Sequence, residues 1–226
     1  MRDVAVLVPA GGAGTRMGGR TPKQFLALGG APILAVTVRR LVRHPRVVAV
    51  VVAAPEARVA RTRRLLAGAA GRVPVTVVAG GDTRQESVWR AVQAAPPEAA
   101  VVVVHDAVRP FVTPALVETV AAAARAAGAA ICALPIAETV KRVRDGVVET
   151  TLERSTLWAV QTPQAFHAPL LREAHEKARR DGFVGTDEAM LVERLGHRVR
   201  VVPGDARNIK ITTPADLRQA RTWAGR

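Results

Sequence analysis

Four short runs of consecutive apolar residues, rich in valine, divide the first half of the chain. They cover Val4–Val8, Val47–Ala53, Val75–Val78 and Val101–Val104. Their apolar residues are continuous rather than alternating with polar ones, which is typical of strands that are covered on both faces. The four runs therefore predict buried parallel strands of one sheet.

Amphipathic segments that predict helices separate and follow these strands. They cover Ile33–Val42, Pro55–Ala67, Thr83–Gln93 and Ala115–Ala127. Expected helix starts carry capping signals, namely Thr83 with Glu86 three residues later, Thr113-Pro114 and Thr213-Pro214. Strands that alternate with helices in this way predict an α/β fold, Rossmann-like, with a mostly parallel twisted sheet and helices on both faces.

One segment breaks the alternation of strands and helices. Within Thr139–Gln161, Asp145-Gly146 separates two stretches with charged residues at alternate positions, which predicts a β-hairpin. Its charges exclude it from the core, and a two-stranded ribbon is only marginally stable by itself. We therefore expect a single domain over residues 1–226 with a protruding β-hairpin arm at about residues 137–160, which packs against a partner subunit.

Composition restricts the class of protein further. Of the 226 residues, 49% are hydrophobic and 23% are charged, as in a globular chain. No apolar run reaches the roughly 18 residues that a membrane helix needs, and the N-terminal residues lack the pattern of a signal peptide. The single cysteine, Cys132, fits a reducing compartment. These features predict a cytoplasmic protein without a membrane partner.

The net charge of +14 raises the alternative of a basic nucleic-acid-binding domain. The arginines are dispersed along the chain, however, as they are on solvated helix faces. Aromatic residues make up only 3% of the chain and tyrosine is absent, so platforms for base stacking are few. Nucleic acid is therefore not the expected partner.

Glycines and charged residues follow three of the predicted strands. The first strand is followed by PAGGAGTRMGGRTPKQF (residues 9–25), the third by Gly80-Gly81-Asp82, and the fourth by His105–Pro110. In open α/β sheets, ligands bind beyond the carboxyl ends of the strands, where these loops meet. Their backbone amides, helix starts and cations predict a nucleotide-phosphate site with room for a metal ion.

The first loop fits neither of two common nucleotide-binding fingerprints. No G-x-x-x-x-G-K-[ST] run occurs, and, counting from Gly12, the third glycine of a dinucleotide fingerprint is replaced by Met17. An NAD-dependent enzyme is therefore disfavoured. A glycine-rich turn alone could be an ordinary strand–helix connection, but Arg16 and Lys23 beside free backbone amides suit a triphosphate better.

Seven motifs that occur in order carry a resemblance to one family. They are PAGGAGTRMGGRTPKQF, GGDTRQESV, VHDAVRP, ETVKR, ERSTLWAVQTPQAF, TDEAMLVE and ARNIKIT. The set resembles the 2-C-methyl-D-erythritol 4-phosphate cytidylyltransferases over nearly the whole chain. The resemblance implies a nucleotide-diphospho-sugar transferase-like fold and transfer of CMP from CTP to methylerythritol 4-phosphate, with release of pyrophosphate, in non-mevalonate isoprenoid biosynthesis. It also implies Mg²⁺, or another divalent cation, with CTP, and a homodimer in which each arm embraces the neighbour.

The resemblance also implies roles for individual residues. The catalytic set is Arg16, Lys23, Arg154 and Lys210. The CTP set is Pro9, Ala10, Gly11, Gly12, Gly14, Gly80, Gly81, Asp82, Ser87, Asp106 and Ala107. The acceptor set is Asp106, Arg109, Thr139, Arg154, Thr186 and Lys210. Asp106 is in addition the candidate metal ligand, and the arm residues Thr139 and Arg154 are implied to act across the dimer interface.

Some alternatives stay open at this point. A cytidylyltransferase for ribitol 5-phosphate would use the same fold and the same CTP loops, so only the acceptor residues could distinguish it. Asp106 could be a turn aspartate and Arg154 an ordinary solvated arginine. Thr186-Asp187-Glu188 could be only a helix start with acidic residues that favour the helix dipole.

Overall fold

One seven-stranded sheet forms the centre of the protein in the computed structural model, which describes residues 2–12 and 21–225. The strands in the described part of the chain are β1 Val4–Pro9, β2 Ala27–Leu28, β3 Ala31–Pro32, β4 Val47–Ala54, β5 Val75–Ala79, β6 Val101–Val104, β7 Ala129–Pro135, β8 Lys141–Arg144, β9 Val147–Thr151, β10 Trp158–His167 and β11 Arg200–Pro203. The α-helices there are α1 Ile33–Leu41, α2 Val59–Leu66, α3 Arg84–Gln93, α4 Pro114–Ala127, α5 Ala168–Arg180, α6 Glu188–Glu193 and α7 Pro214–Ala224. Across residues 2–12 and 21–225, no helix is long and apolar enough to cross a membrane.

The strand order of the central sheet is β11-β7-β10-β6-β1-β4-β5. The neighbours pair in parallel except for β10, which runs antiparallel to both β6 and β7. Helices α1, α2 and α4 pack on one face of the sheet, and α3, α5 and α6 pack on the other. The predicted fold class, a mostly parallel α/β sheet covered on both faces, is therefore confirmed.

The four strands predicted from valine-rich runs all form, and they differ from the prediction by at most one residue at their ends. The predicted helix Pro55–Ala67 is shorter than expected. Its first turn is a 3-10 turn at Glu56–Arg58, and α2 begins at Val59, where no side chain caps the helix start. By contrast, Thr113 accepts a hydrogen bond from the amide of Leu116, and Thr213 forms a complete capping box with Asp216.

The predicted hairpin is confirmed as β8 and β9, which pair antiparallel through the turn at Asp145-Gly146. Both turn residues have positive φ, 50° and 79°, as a tight two-residue hairpin turn requires. The chain leaves the central sheet at the end of β7 and rejoins it at the start of β10. All side chains of β8 and β9 are exposed, so the hairpin is not part of the core.

Candidate active site

Two adjacent cavities open at the edge of the sheet where its parallel strands end. The larger has a volume of about 320 Å³, and the smaller has a volume of about 190 Å³. Arg84, Asp106 and Lys210 line both cavities and so form the wall between them. The site is therefore a pair of compartments that meet at two cations and one carboxylate.

The loop after β1 forms one side of the larger cavity. Pro9, Ala10, Gly11, Gly12 and Lys23, which were all predicted for the site, line it. The side chain of Gln24 is 2% exposed, and its Nε2 donates hydrogen bonds to the carbonyl oxygens of Ala10, at 2.6 Å, and Gly12, at 3.0 Å. Gln24 thus ties the two ends of the loop together and places Lys23 at the cavity. Gly14 and Arg16 lie outside the described residues.

The turn after β5 forms the opposite side of the larger cavity. Gly81, Asp82 and Ser87 line it, and Ser87 Oγ accepts a hydrogen bond from the amide of Gly81 at 3.1 Å and donates to the carbonyl of Thr83 at 3.0 Å. A Cβ at Gly80 would lie 2.9 Å from Ser87 Oγ, so only glycine fits there without a shift. The Ser87 hydroxyl therefore holds the shape of the turn, and the backbone and Asp82 face the cavity.

Asp106 stands at the centre of the site, directly after β6, and is 6% exposed. Its Oδ2 lies 3.0 Å from Lys210 Nζ and 3.3 Å from Arg109 Nε, and its Oδ1 lies 3.6 Å from Arg84 Nε. Burial acts to raise the pKa of this carboxyl, but the three cations outweigh it and hold the pKa well below its usual range. Asp106 is therefore ionised and orients all three cations.

A network of buried hydrogen bonds holds Asp106 and Arg109 in position. The amide of Asp106 donates to Thr162 Oγ1 at 2.9 Å, and Arg109 Nη1 donates to the carbonyl of Asn208 at 2.8 Å. Asn208 in turn donates to the carbonyl of Thr162 at 2.8 Å. His105 is fully buried, and burial lowers its pKa to about 4, so its imidazole is neutral at pH 7. The network fixes the charged groups without adding a charge of its own.

The smaller cavity is built by a register shift in β10 and by the start of α6. The pairing of β10 with β7 shifts between Val160 and Gln164, and residues of this shifted stretch line the cavity together with Thr186 and Asp187. Gln164 Nε2 donates to Asp187 Oδ2 at 2.8 Å, while Asp187 Oδ1 caps α6 through the amide of Met190. Thr186 and Arg109, both predicted for the acceptor, therefore line the same compartment.

Arg84 has no role in the catalytic and binding sets that the resemblance implied. Its Nη1 donates to Oε1 of Glu188 at 2.8 Å, and the side chain of Glu188 is 1% exposed. Burial raises the pKa of the Glu188 carboxyl, and the charge of Arg84 opposes that effect. Arg84 belongs to the motif GGDTRQESV after the third predicted strand, but no local pattern indicated that a buried carboxylate far along the chain would contact it.

The predicted arm residues, Thr139 and Arg154, line neither of the two cavities. Thr139 is exposed, and Arg154 lies on an exposed 3-10 turn at Arg154–Thr156. Arg154 Nη1 donates to the carbonyl of Ala137 at 2.6 Å, which holds it to the base of the arm. Gly80, also predicted for the site, lines neither cavity either, although its neighbour Gly81 lines the larger one.

The carboxylates at the site do not form a metal centre by themselves. In residues 2–12 and 21–225, no group of three His, Cys, Asp or Glu side chains could hold a metal ion. Asp82 and Asp106 line the larger cavity, and both oxygens of Asp106 already face cations. Magnesium commonly binds one or two carboxylates together with substrate phosphates and waters. The residues thus fit an ion that enters with a triphosphate.

Comparisons with known proteins agree on one family. Residues 4–226 match the family model described as IspD, 2-C-methyl-D-erythritol 4-phosphate cytidylyltransferase. A curated relative of that name from Symbiobacterium thermophilum is 48% identical over 220 residues, which cover 96% of this chain and 91% of the relative.

Solved structures agree with the sequence relatives. The crystal structure of 2-C-methyl-D-erythritol 4-phosphate cytidylyltransferase from Thermus thermophilus aligns with a TM-score of 0.81 and 37% identity, covering 99% of this chain and 100% of that one. The 4-diphosphocytidyl-2C-methyl-D-erythritol synthase from Anaerococcus prevotii aligns with a TM-score of 0.86 and 28% identity, covering 100% of this chain and 99% of that one.

Proposed function

Because the chain belongs to the 2-C-methyl-D-erythritol 4-phosphate cytidylyltransferase family, we propose that it transfers CMP from CTP to 2-C-methyl-D-erythritol 4-phosphate. The products are 4-diphosphocytidyl-2-C-methyl-D-erythritol and pyrophosphate, and the reaction is a step of non-mevalonate isoprenoid biosynthesis. The observation that carries the proposal is the pair of cavities that meet at Arg84, Asp106 and Lys210. Two phosphate-bearing substrates can react there across a wall that is rich in positive charge.

The larger cavity suits CTP and the smaller suits the acceptor. At about 320 Å³ the larger cavity has the size of a small-molecule site, and its glycine-rich loop and the turn after β5 present backbone groups to a nucleotide. The smaller cavity is polar, which suits a compact polyol phosphate. The hydroxyls of the acceptor would face Thr186 and Gln164, and the phosphate of the acceptor would face Arg109 and Lys210.

The chemistry follows from this arrangement. An oxygen of the acceptor phosphate attacks the α-phosphorus of CTP, a new P–O bond forms, and the bond from that phosphorus to the oxygen bridging to the β-phosphate breaks. Pyrophosphate leaves with the electron pair, and the attacking phosphate is already an anion, so no general base is required. Catalysis then consists of positioning and of offsetting the repulsion between anions.

We assign the cations by their position. Lys23 lies with the loop on the CTP side and Lys210 on the shared wall, and we assign Arg16 to the α-phosphate together with Lys23. Asp106 sets the distances among Arg84, Arg109 and Lys210 and can accept a hydrogen bond from an acceptor hydroxyl. A Mg²⁺ ion that enters with CTP would be held by the triphosphate and by Asp82 or Asp106, and it would neutralise phosphate charge.

We propose that the protein is a cytoplasmic homodimer whose arms exchange. The proposal is supported by the exposed apolar residues on and beside the arm, which a partner would bury, namely Val143, Val147, Val148, Trp158 and Val160. It is also supported by the absence of Thr139 and Arg154 from the lining of both cavities, since each arm could then complete the acceptor compartment of its neighbour. A cytoplasmic location accords with CTP, which is an intracellular substrate.

The reaction is tested by pyrophosphate release from the purified protein with CTP and Mg²⁺, using methylerythritol 4-phosphate and ribitol 5-phosphate in parallel. We expect turnover with methylerythritol 4-phosphate and little with ribitol 5-phosphate, and we expect EDTA to abolish it. Preference for ribitol 5-phosphate would replace the proposed acceptor, and salt-sensitive binding to nucleic acid without any pyrophosphate release would favour the basic binding domain.

The exchange of arms is tested by mixing two inactive variants. Lys23→Ala disables the CTP side of a subunit, and Arg154→Ala disables its arm. If the arm acts in the partner's site, a mixed dimer contains one intact site, because that site takes its CTP loop from the Arg154→Ala subunit and its arm from the Lys23→Ala subunit. Mixtures refolded or co-expressed at equal amounts should regain about a quarter of wild-type activity, by random pairing. No recovery, with dimers present in sedimentation, would mean that each arm serves its own chain.

A further inference from the structure

We propose that Arg84 is a further catalytic cation of the transfer reaction, and that the buried Glu188 is the positioning residue that holds it between the two cavities. The inference rests on the function proposed above and concerns the same site. Arg84 lies outside the catalytic and binding sets that the resemblance implied, so it adds a further positive group to Lys23, Lys210 and Arg109.

Arg84 lies on the wall that the two cavities share. The reacting atoms of the two substrates must come within about 3–3.5 Å of one another. If CTP occupies the larger cavity and the acceptor the smaller one, the new bond forms at the wall that both share. Only Arg84, Asp106 and Lys210 line both cavities in the described part of the chain, and two of these three are cations.

Two carboxylates hold the Arg84 guanidinium in place. Glu188 approaches it from α6 at 2.8 Å, and Asp106 approaches it from the loop after β6 at 3.6 Å. The Arg84 side chain is 29% exposed, whereas those of Glu188 and Asp106 are 1% and 8% exposed. The guanidinium is therefore anchored from the buried side, while its remaining N–H groups stay open to the cavities.

The burial of the Glu188 carboxylate is unfavourable for the stability of the fold. Taking a carboxylate out of water costs several kcal/mol, and a buried ion pair often recovers no more than that cost. The other oxygen of this carboxylate, Oε2, has no hydrogen-bond partner among the described residues and is buried. Such a group is a poor means of stabilising a fold, which favours a role in aiming Arg84.

The chemistry expected of Arg84 is electrostatic. As the acceptor oxygen bonds to the α-phosphorus and pyrophosphate departs, negative charge shifts over the oxygens around that phosphorus. Arg84 remains protonated throughout and exchanges no proton. A guanidinium fixed in advance lowers the energy of this charge distribution without reorganising during the step.

The same segment also contributes to the acceptor side. Thr186, two residues before Glu188, lines the smaller cavity, and Asp187 between them holds Gln164. A shift at the start of α6 would therefore move the acceptor contacts and the Arg84 anchor together. Glu188 therefore fixes the position of Arg84 relative to the residues of the smaller cavity.

The test compares Arg84→Ala, Arg84→Lys and Glu188→Gln with two control variants of exposed residues, Arg64→Ala on α2 and Glu193→Gln on α6. Steady-state kcat and KM for each substrate are measured by pyrophosphate release, and circular dichroism and thermal melting check the fold. We expect Arg84→Ala to lower kcat about 100- to 1000-fold, as loss of a transition-state donor does, with the KM for CTP changed only a few-fold. We expect Glu188→Gln to lower kcat about tenfold, the scale of removing a supporting partner, and both controls to match the wild type.

Chemical rescue separates a catalytic role from a structural one. Guanidinium ions at non-denaturing concentration should restore part of the activity of Arg84→Ala and none of that lost in Glu188→Gln, where the arginine is still present. Wild-type kcat in Arg84→Ala, or a rise in KM with kcat unchanged, would overturn the inference. If Arg84→Ala does not fold, Arg84→Lys and Glu188→Gln decide it, since native-like folding with wild-type kcat in both would be equally fatal.

The wild type in the same assay distinguishes this inference from the proposed function. If the wild type transfers CMP to either acceptor and Arg84→Ala is equally fast, the role of Arg84 is rejected and the proposed function stands. A wild type that releases pyrophosphate with neither acceptor rejects the function, and the role of Arg84 falls with it.

Discussion

Replacing Lys23 with alanine is expected to lower kcat by about 100- to 1000-fold while the fold stays intact. Lys23 lines the larger cavity at the end of the glycine-rich loop, and its ammonium group would offset charge at the α-phosphate as the acceptor approaches. The neighbouring Gln24 holds the loop to Ala10 and Gly12 through its side chain. The loss should therefore fall on turnover and not on folding.

Steady-state rates and circular dichroism decide this expectation. Lys177→Ala is the matched control, because Lys177 is a lysine on α5 that pairs with Asp181 and lines neither cavity. Arg16→Ala is expected to behave like Lys23→Ala, since the two are assigned to the same phosphate. A double variant of Arg16 and Lys23 that keeps wild-type turnover would refute both assignments.

Replacing Asp106 with asparagine is expected to have the second large effect, on both turnover and stability. The substitution keeps the shape of the side chain but removes the charge that Arg84, Arg109 and Lys210 share. The three cations then repel one another, and a displacement of about 1 Å at a reacting centre can cost about 100-fold in rate. We therefore expect kcat to fall about 100-fold.

The free energy of unfolding should fall as well, by about 3 kcal/mol at pH 7 without substrate, as for other buried ion pairs that lose one partner. The folded pKa of Asp106 is lowered, so its contribution is complete above the unfolded pKa of about 3.9 and is lost as the pH falls below it. In urea denaturation, the difference between wild type and Asp106→Asn should accordingly shrink between pH 7 and pH 3. Asp181→Asn, which removes an exposed ion-paired carboxylate, should show little change at either pH. An equal difference at both pH values would contradict the ionised state assigned to Asp106.

Sequence patterns were sufficient to predict one half of the central sheet. β1, β4, β5 and β6 are valine-rich and covered on both faces, so their apolar runs are continuous and their loops could be placed at one edge. The stretch Gly80-Gly81-Asp82 and the residues after β6 then follow from the rule that ligands bind beyond strand ends. Positions such as Gly11 and Asp82 line the cavity for that reason.

The other half of the sheet gave a weaker signal. β7 has three alanines and only one β-branched residue among its seven positions, and β10 combines polar side chains with a proline in its buried part. Alanine and proline have low intrinsic strand propensity, so these segments form strands because of their tertiary packing. The side chains of Gln161, Thr162 and Gln164 line the smaller cavity because of a register shift that no periodicity announces.

Long-range contacts were the least accessible to sequence reasoning. The pairing of Arg84 with Glu188 joins residues 104 positions apart, and the hydrogen bond from Arg109 to the Asn208 carbonyl spans 99 positions. Each segment alone has the pattern of an ordinary helix start or turn. Motif resemblance supplied Lys210, since the polar stretch around it has no local feature that indicates its distance to Asp106.

The reversed direction of β10 has a consequence for how such an enzyme can change its substrate. The loops after β1, β5 and β6 lie at the carboxyl ends of parallel strands, whereas the antiparallel β10 begins at the same edge, directly after the arm. The residues that line only the smaller cavity therefore come from β10 and from the stretch just before α6, with Arg109 as the exception. New alcohol phosphates could be adopted by altering residues 160–164, Thr186 and Asp187, while the residues that line only the larger cavity stay unchanged.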